Sequence, residues 1–89
     1  MPVERSVQIV NEAGIHARPA AEIVKTAAKF RSEITIVKDG LDVNAKSIMG
    51  VMMLAAECGA SVVLRANGAD EQQAVDAIAA LIANKFGER

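Results

Sequence analysis

The sequence predicts an α/β fold. It should be an open-faced sandwich with the order β-α-β-β-α-β-α, in which a four-stranded, mainly antiparallel sheet carries three helices on one face. Three observations support this. Short runs alternate apolar with polar residues, and longer runs between them repeat their apolar residues at helical spacing. The polar rows of the alternating runs, Glu4, Ser6, Gln8, Glu33, Thr35, Asp42 and Arg65, suit a sheet face left in water. At 89 residues the chain is expected to form one domain, 1–89, around one modest core.

Residues 3–10 read as the first strand, with Val3, Val7 and Ile9 inward and Arg5 interrupting that row. The loop Asn11-Glu12-Ala13-Gly14 leads to a helix that starts at Ala17 and ends near Arg31-Ser32, where Ala20, Ile23, Val24, Ala27 and Phe30 lie opposite Glu22, Lys25, Thr26 and Lys29. Pro19 fits its first turn, where a missing N–H costs nothing and the fixed φ suits a helix. Residues 33–38 form the second strand, with Ile34 and Ile36 inward, and residues 41–44 the third. Between them, Asp39-Gly40 predicts a two-residue type I′ turn, because both residues tolerate positive φ. A second helix is expected from Ser47 to about Cys58, stopped by Gly59. Residues 61–66 make the fourth strand, with Val62, Leu64 and Ala66 inward. Asp70 with Gln73 three residues on reads as a capping-box variant. It opens a last helix with an apolar face of Ala74, Val75, Ile78, Leu81, Ile82 and Phe86, ended by Gly87. The pattern alone does not fix strand order.

Composition narrows the function. Only Phe30 and Phe86 are aromatic, so there is no stacking platform for nucleic-acid bases, and a net charge of −1 without a basic run excludes nucleic acid and anionic membrane as main partners. The start of the chain lacks the apolar core of a signal peptide and no stretch is long enough to span a membrane, so a cytoplasmic protein is expected. Cys58 is the single cysteine and His16 the single histidine, which leaves no internal disulfide and no metal site.

The chemistry concentrates in Gly14-Ile15-His16-Ala17-Arg18-Pro19. His16 falls at the N-cap of the first helix, where the backbone N–H groups of Ala17 and Arg18 lack intrahelical partners and the peptide dipoles add positive potential. A phosphoryl group on the ring could accept from those amides and from the Arg18 guanidinium. A histidine at a helix start also serves as a weak cap or a solvated side chain, so these residues alone leave both readings open. The helix after Ser47 is apolar on nearly every side, with Ile48, Met49, Val51, Met52, Met53 and Leu54. A one-sided sandwich cannot cover them all, so Ile48, Met49 and Met52 are expected at the surface, where methionine repacks against different partners. The competing reading is a core helix filled by methionine. Ser47 itself suits an N-cap.

Two motifs, Ile15-His16-Ala17-Arg18-Pro19 after a first strand and Lys46-Ser47-Ile48-Met49-Gly50-Val51-Met52 farther on, resemble the paired signatures of the HPr family. These are the histidine-containing phosphocarriers of the bacterial phosphoenolpyruvate-dependent sugar phosphotransferase system, and the resemblance spans nearly the whole chain. It implies strand order 1-4-2-3 and a carrier that is not itself an enzyme. It further implies that His16 takes a phosphoryl group on Nδ1 from enzyme I and passes it to an enzyme IIA, without metal or cofactor. Ser47 is implied as a regulatory phosphorylation site, with an HPr kinase/phosphorylase and a transcriptional regulator as further partners. Ala20, Val24, Ile48, Met49 and Met52 are expected to form the partner-binding rim of a monomer. Two alternatives stay open: the carrier of the nitrogen-related phosphotransferase branch, and a regulatory module acting through phospho-Ser47 alone.

Overall fold

Val and Ile supply most of the apolar positions of the alternating runs because β-branched side chains pack well on a pleated surface with one buried face. The computed structural model describes residues 2–89. Strands β1 (Val3–Gln8), β2 (Glu33–Lys38), β3 (Leu41–Asn44) and β4 (Ser61–Asn67) form one sheet in the order β1-β4-β2-β3, with every neighbouring pair antiparallel. This is the order implied by the resemblance. Helices α1 (Ala17–Ala27), α2 (Ile48–Met53) and α3 (Glu71–Ala83) complete the expected element order.

Register sets the two faces. Leu64 lies opposite Ile36 on one side and Arg5 on the other, and Val62 lies opposite Val7. Ile34, Ile36, Val62, Leu64 and Ala66 are buried, and they meet Ala20, Ile23 and Ala27 of α1 and Ala74, Val75, Ile78 and Ile82 of α3 in one continuous core. Burial of each large aliphatic side chain contributes about 1.5–3 kcal/mol relative to exposure. On the open face Arg65 donates from Nε to Glu4 Oε2 at 2.6 Å and lies 3.8 Å from Asp42, a network in water that ties β4 to both sheet edges. Arg5, out of step in β1, reaches Asp76 of α3 at 3.6 Å. Asp39 and Gly40 have φ of 50° and 82°, as the type I′ turn requires.

Several boundaries differ from expectation. β1 ends at Gln8, although buried Ile9 still bonds Ala60 and Gly59 through its backbone. α1 ends at Ala27 and not near Arg31-Ser32, because its last bonds tighten: Lys29 N–H donates to Thr26 and Phe30 N–H to Ala27. α2 stops at Met53 and not near Cys58. Ala55 turns left-handed with φ 48°, and Ala56 is drawn down to accept a bond from Ile15 N–H at 2.8 Å. Gly59 therefore does not cap α2. α3 ends at Ala83, and Gly87 closes a separate turn, Lys85–Gly87.

The capping box at Asp70 does not form. Asp70 is the N-cap residue of α3, but its carboxylate accepts from Ser32 Oγ at 2.5 Å, Ser32 N–H at 3.0 Å and Arg31 N–H at 2.9 Å. Those bonds, led by the Ser32 hydroxyl, hold its pKa at about 2. Glu71 instead accepts from Gly68 N–H at 3.1 Å.

Candidate functional site

His16 is the N-cap of α1, in extended conformation, and its carbonyl accepts from Ala20 N–H at 3.0 Å. Its ring makes no cap hydrogen bond, and its side chain is 45% exposed at the helix mouth. The amides of Ala17 and Arg18 open the helix beside it, and no acidic residue of the first turn offsets the positive end of the dipole. Arg18 projects into solvent from the same turn, while Pro19 is buried beneath it.

The loop before His16 is held from below. Gly14 has φ +71°, and a Cβ there would lie 2.7 Å from the Ala56 carbonyl oxygen and 2.9 Å from Glu57 Cα. No other residue permits both that conformation and that approach. Ile15 buries its side chain and bonds Ala56 through its N–H, so the loop is fastened to the segment that follows α2. Asn11 is fully buried, and its Nδ2 donates to Gly14 O at 2.7 Å and to Glu88 Oε1 at 3.1 Å.

Glu88 was not foreseen from sequence as part of the site. Its carboxylate lies 3.1 and 3.3 Å from His16 Nε2 and 3.4 Å from an Arg18 amine, with its side chain only 13% exposed. Burial alone would raise its pKa. Hydrogen bonds from His16 and Asn11, with the electrostatic pull of His16 and Arg18, outweigh burial and leave the carboxyl below the usual range. Nothing local marks this residue. It reaches the site only because the chain folds back after α3.

The second motif stands at the mouth of α2. Ser47 is its N-cap, and its Oγ accepts from Gly50 N–H at 3.1 Å. Ile48 and Met52 are about two-fifths exposed, and Met49 and Met53 about two-thirds, while Val51 and Leu54 turn inward. The surface methionines are therefore as expected, with Met53 added. Ala20 is a correction: it is fully buried between helix and core and cannot touch a partner. Val24 is half-buried at the edge. α1 packs against α2 with the His16 loop bonded to the segment that leaves α2 and Lys46 Nζ donating to Phe30 O at 2.8 Å, so each mouth stands by the exit of the other helix.

A one-layer sheet with an exposed imidazole at the mouth of a helix on its covered side is an arrangement suited to carrying a phosphoryl group on the ring. The model for the PTS HPr component phosphorylation site matches residues 3–84. The phosphocarrier protein HPr of Cupriavidus necator is 50% identical over 86 residues, 97% of each chain. That of Treponema pallidum is 52% identical over 86 residues, covering 97% of this chain and 98% of its own. Among solved structures, HPr-C-His from Thermoanaerobacter tengcongensis superposes with a TM-score of 0.94 at 50% identity, covering 98% of both chains. This chain belongs to the HPr family of phosphotransferase-system phosphocarriers. No helix among the described residues is long and apolar enough to cross a membrane.

Proposed function

We propose that His16 accepts a phosphoryl group on Nδ1 from phospho-enzyme I and delivers it to a histidine of a sugar-specific enzyme IIA, in the cytoplasm. The observation that carries this reading is the exposed His16 ring at the amide-lined mouth of α1, engaged through Nε2, with the Arg18 guanidinium in the same turn. Phosphoryl transfer between such groups needs alignment and charge stabilisation more than covalent help. The Nδ1 lone pair forms the new N–P bond. The donor N–P bond breaks back onto a donor ring protonated at its other nitrogen, which leaves as neutral imidazole. The N–H groups of Ala17 and Arg18 and the Arg18 side chain donate to the phosphoryl oxygens.

Ser47 is a regulatory phosphorylation site in this reading, a substrate for an HPr kinase/phosphorylase. Its phosphate would place about −1.5 to −2 charges beside Ile48, Met49 and Met52, the residues that dock partners together with Val24. The Ser47-Ile48-Met49-Gly50 run favours the sugar branch over the nitrogen-related one. Incubation with phosphoenolpyruvate and enzyme I tests the central claim. Mass spectrometry should find a single acid-labile, base-stable adduct that vanishes in His16→Ala, and label persisting on His16→Ala at the parent rate would overturn it.

A further inference from the structure

The chain beyond α3 is built at a conformational cost. Lys85, Phe86 and Gly87 all adopt positive φ, at 57°, 55° and 75°. For a bulky side chain such as Phe86 that is a rare and strained state. Phe86 is nevertheless buried, 4% exposed, and the segment is pinned by Glu88 N–H to Lys85 O at 2.8 Å and by Glu12 N–H to Arg89 O at 2.6 Å. The product of this left-handed turn is a carboxylate under the His16 ring, steadied by buried Asn11.

We propose that Glu88 is a positioning residue which holds the proton on His16 Nε2 and so makes Nδ1 the nitrogen that attacks phosphorus. This deepens the phosphocarrier reading and rests on it. An ionised carboxylate can only accept, so the nitrogen facing it must donate. Among the described residues, both ring contacts of His16 go to Nε2 and none to Nδ1. When the ring is neutral, the proton therefore stays at Nε2 and the lone pair is at Nδ1, on the side away from Glu88. The same geometry serves the transfer step. As the Nδ1 lone pair becomes the N–P bond, the ring takes on positive charge shared with Nε2–H, and that charge develops 3.1 Å from Glu88 Oε2. A carboxylate that fixes an imidazole through its second nitrogen is a general means of setting tautomer and ring orientation.

The test uses the full chain, labelled with ¹⁵N-histidine, in three forms: parent, Glu88→Ala and Glu88→Gln. Glutamine retains an acceptor oxygen without the charge. At a pH where the ring is neutral, the nitrogen shifts of the parent should report Nε2–H almost alone. Glu88→Ala should show a mixture of both tautomers, and Glu88→Gln should restore the parent pattern. Phosphoryl uptake from enzyme I should slow about tenfold in Glu88→Ala, with partial recovery in Glu88→Gln. Identical tautomer populations in parent and Glu88→Ala would overturn the proposal, as would a Glu88→Gln pattern no closer to the parent than Glu88→Ala. The nitrogen shifts are read without any phosphoryl donor, so failure of the parent to take label would count against the phosphocarrier reading alone.

Discussion

The mouths of α1 and α2 are both helix N-termini, but they are built in opposite ways. At α1 the cap side chain leaves its own helix unbonded and is engaged by a residue 72 positions away. At α2 the cap side chain closes on its own helix, Ser47 Oγ accepting from Gly50 N–H, and the surroundings are loose methionine. In the proposed reading, one mouth has its polar groups set in place for chemistry, and the other presents an adaptable apolar surface for contact. Charge and geometry should therefore dominate the first, and area and repulsion the second.

His16→Ala draws the sharpest line between them. It should abolish phosphoryl uptake while changing folding stability by no more than about 0.5 kcal/mol, since the ring is exposed and caps nothing. Uptake assays beside urea melts would show this, and a large stability loss would make the residue structural. Arg18→Ala should slow transfer about 10- to 100-fold at unchanged stability, because a charged donor to the phosphoryl oxygens is lost. Stopped transfer assays at saturating enzyme I read that step without the docking contribution.

At the other mouth, Ser47→Asp should weaken productive docking about tenfold and leave Tm unchanged. Equal transfer rates in mutant and parent would erase the distinction between the two regions. Met49→Ala should cost about 1 kcal/mol or less of partner affinity, measured by titration calorimetry, with no effect on folding. The smallest effect on transfer belongs to Asp70, which lies outside both mouths. Its pKa is depressed from 3.8 to about 2, so its contribution to stability is present above about pH 4 and lost as pH falls toward 2. In Asp70→Asn, acid melts should lose that dependence while transfer at neutral pH stays as in the parent.

Much of this was legible from local pattern. The strands, the type I′ turn and the start of α1 rest on neighbours in sequence, as do the exposed Ile48, Met49 and Met52. The errors share a different cause. The end of α2 was misread because its apolar run continues through Ala56, whereas the chain turns at Ala55 to meet Ile15, a tertiary demand with no glycine to announce it. The capping box at Asp70 failed because that carboxylate is taken by Ser32 and Arg31, 38 and 39 residues distant. Ala20 was placed on the rim because it stands one turn from His16, yet helical spacing had already set it on the apolar face of α1, and the packing turns it fully inward. Asn11 and Glu88 carry no local signature, and their roles exist only once the two ends of the chain meet.

The contact between Gly14 and the backbone of Ala56 and Glu57 leaves no slack between the imidazole loop and the segment leaving α2. In the proposed reading, a visiting protein that seats itself on the methionines thereby inherits the position of the ring, as a jig fixes a workpiece, and no hinge has to swing before the two reacting nitrogens face each other. A single added methyl group at Gly14 should spoil that registration and slow every partner alike, donor and acceptor together.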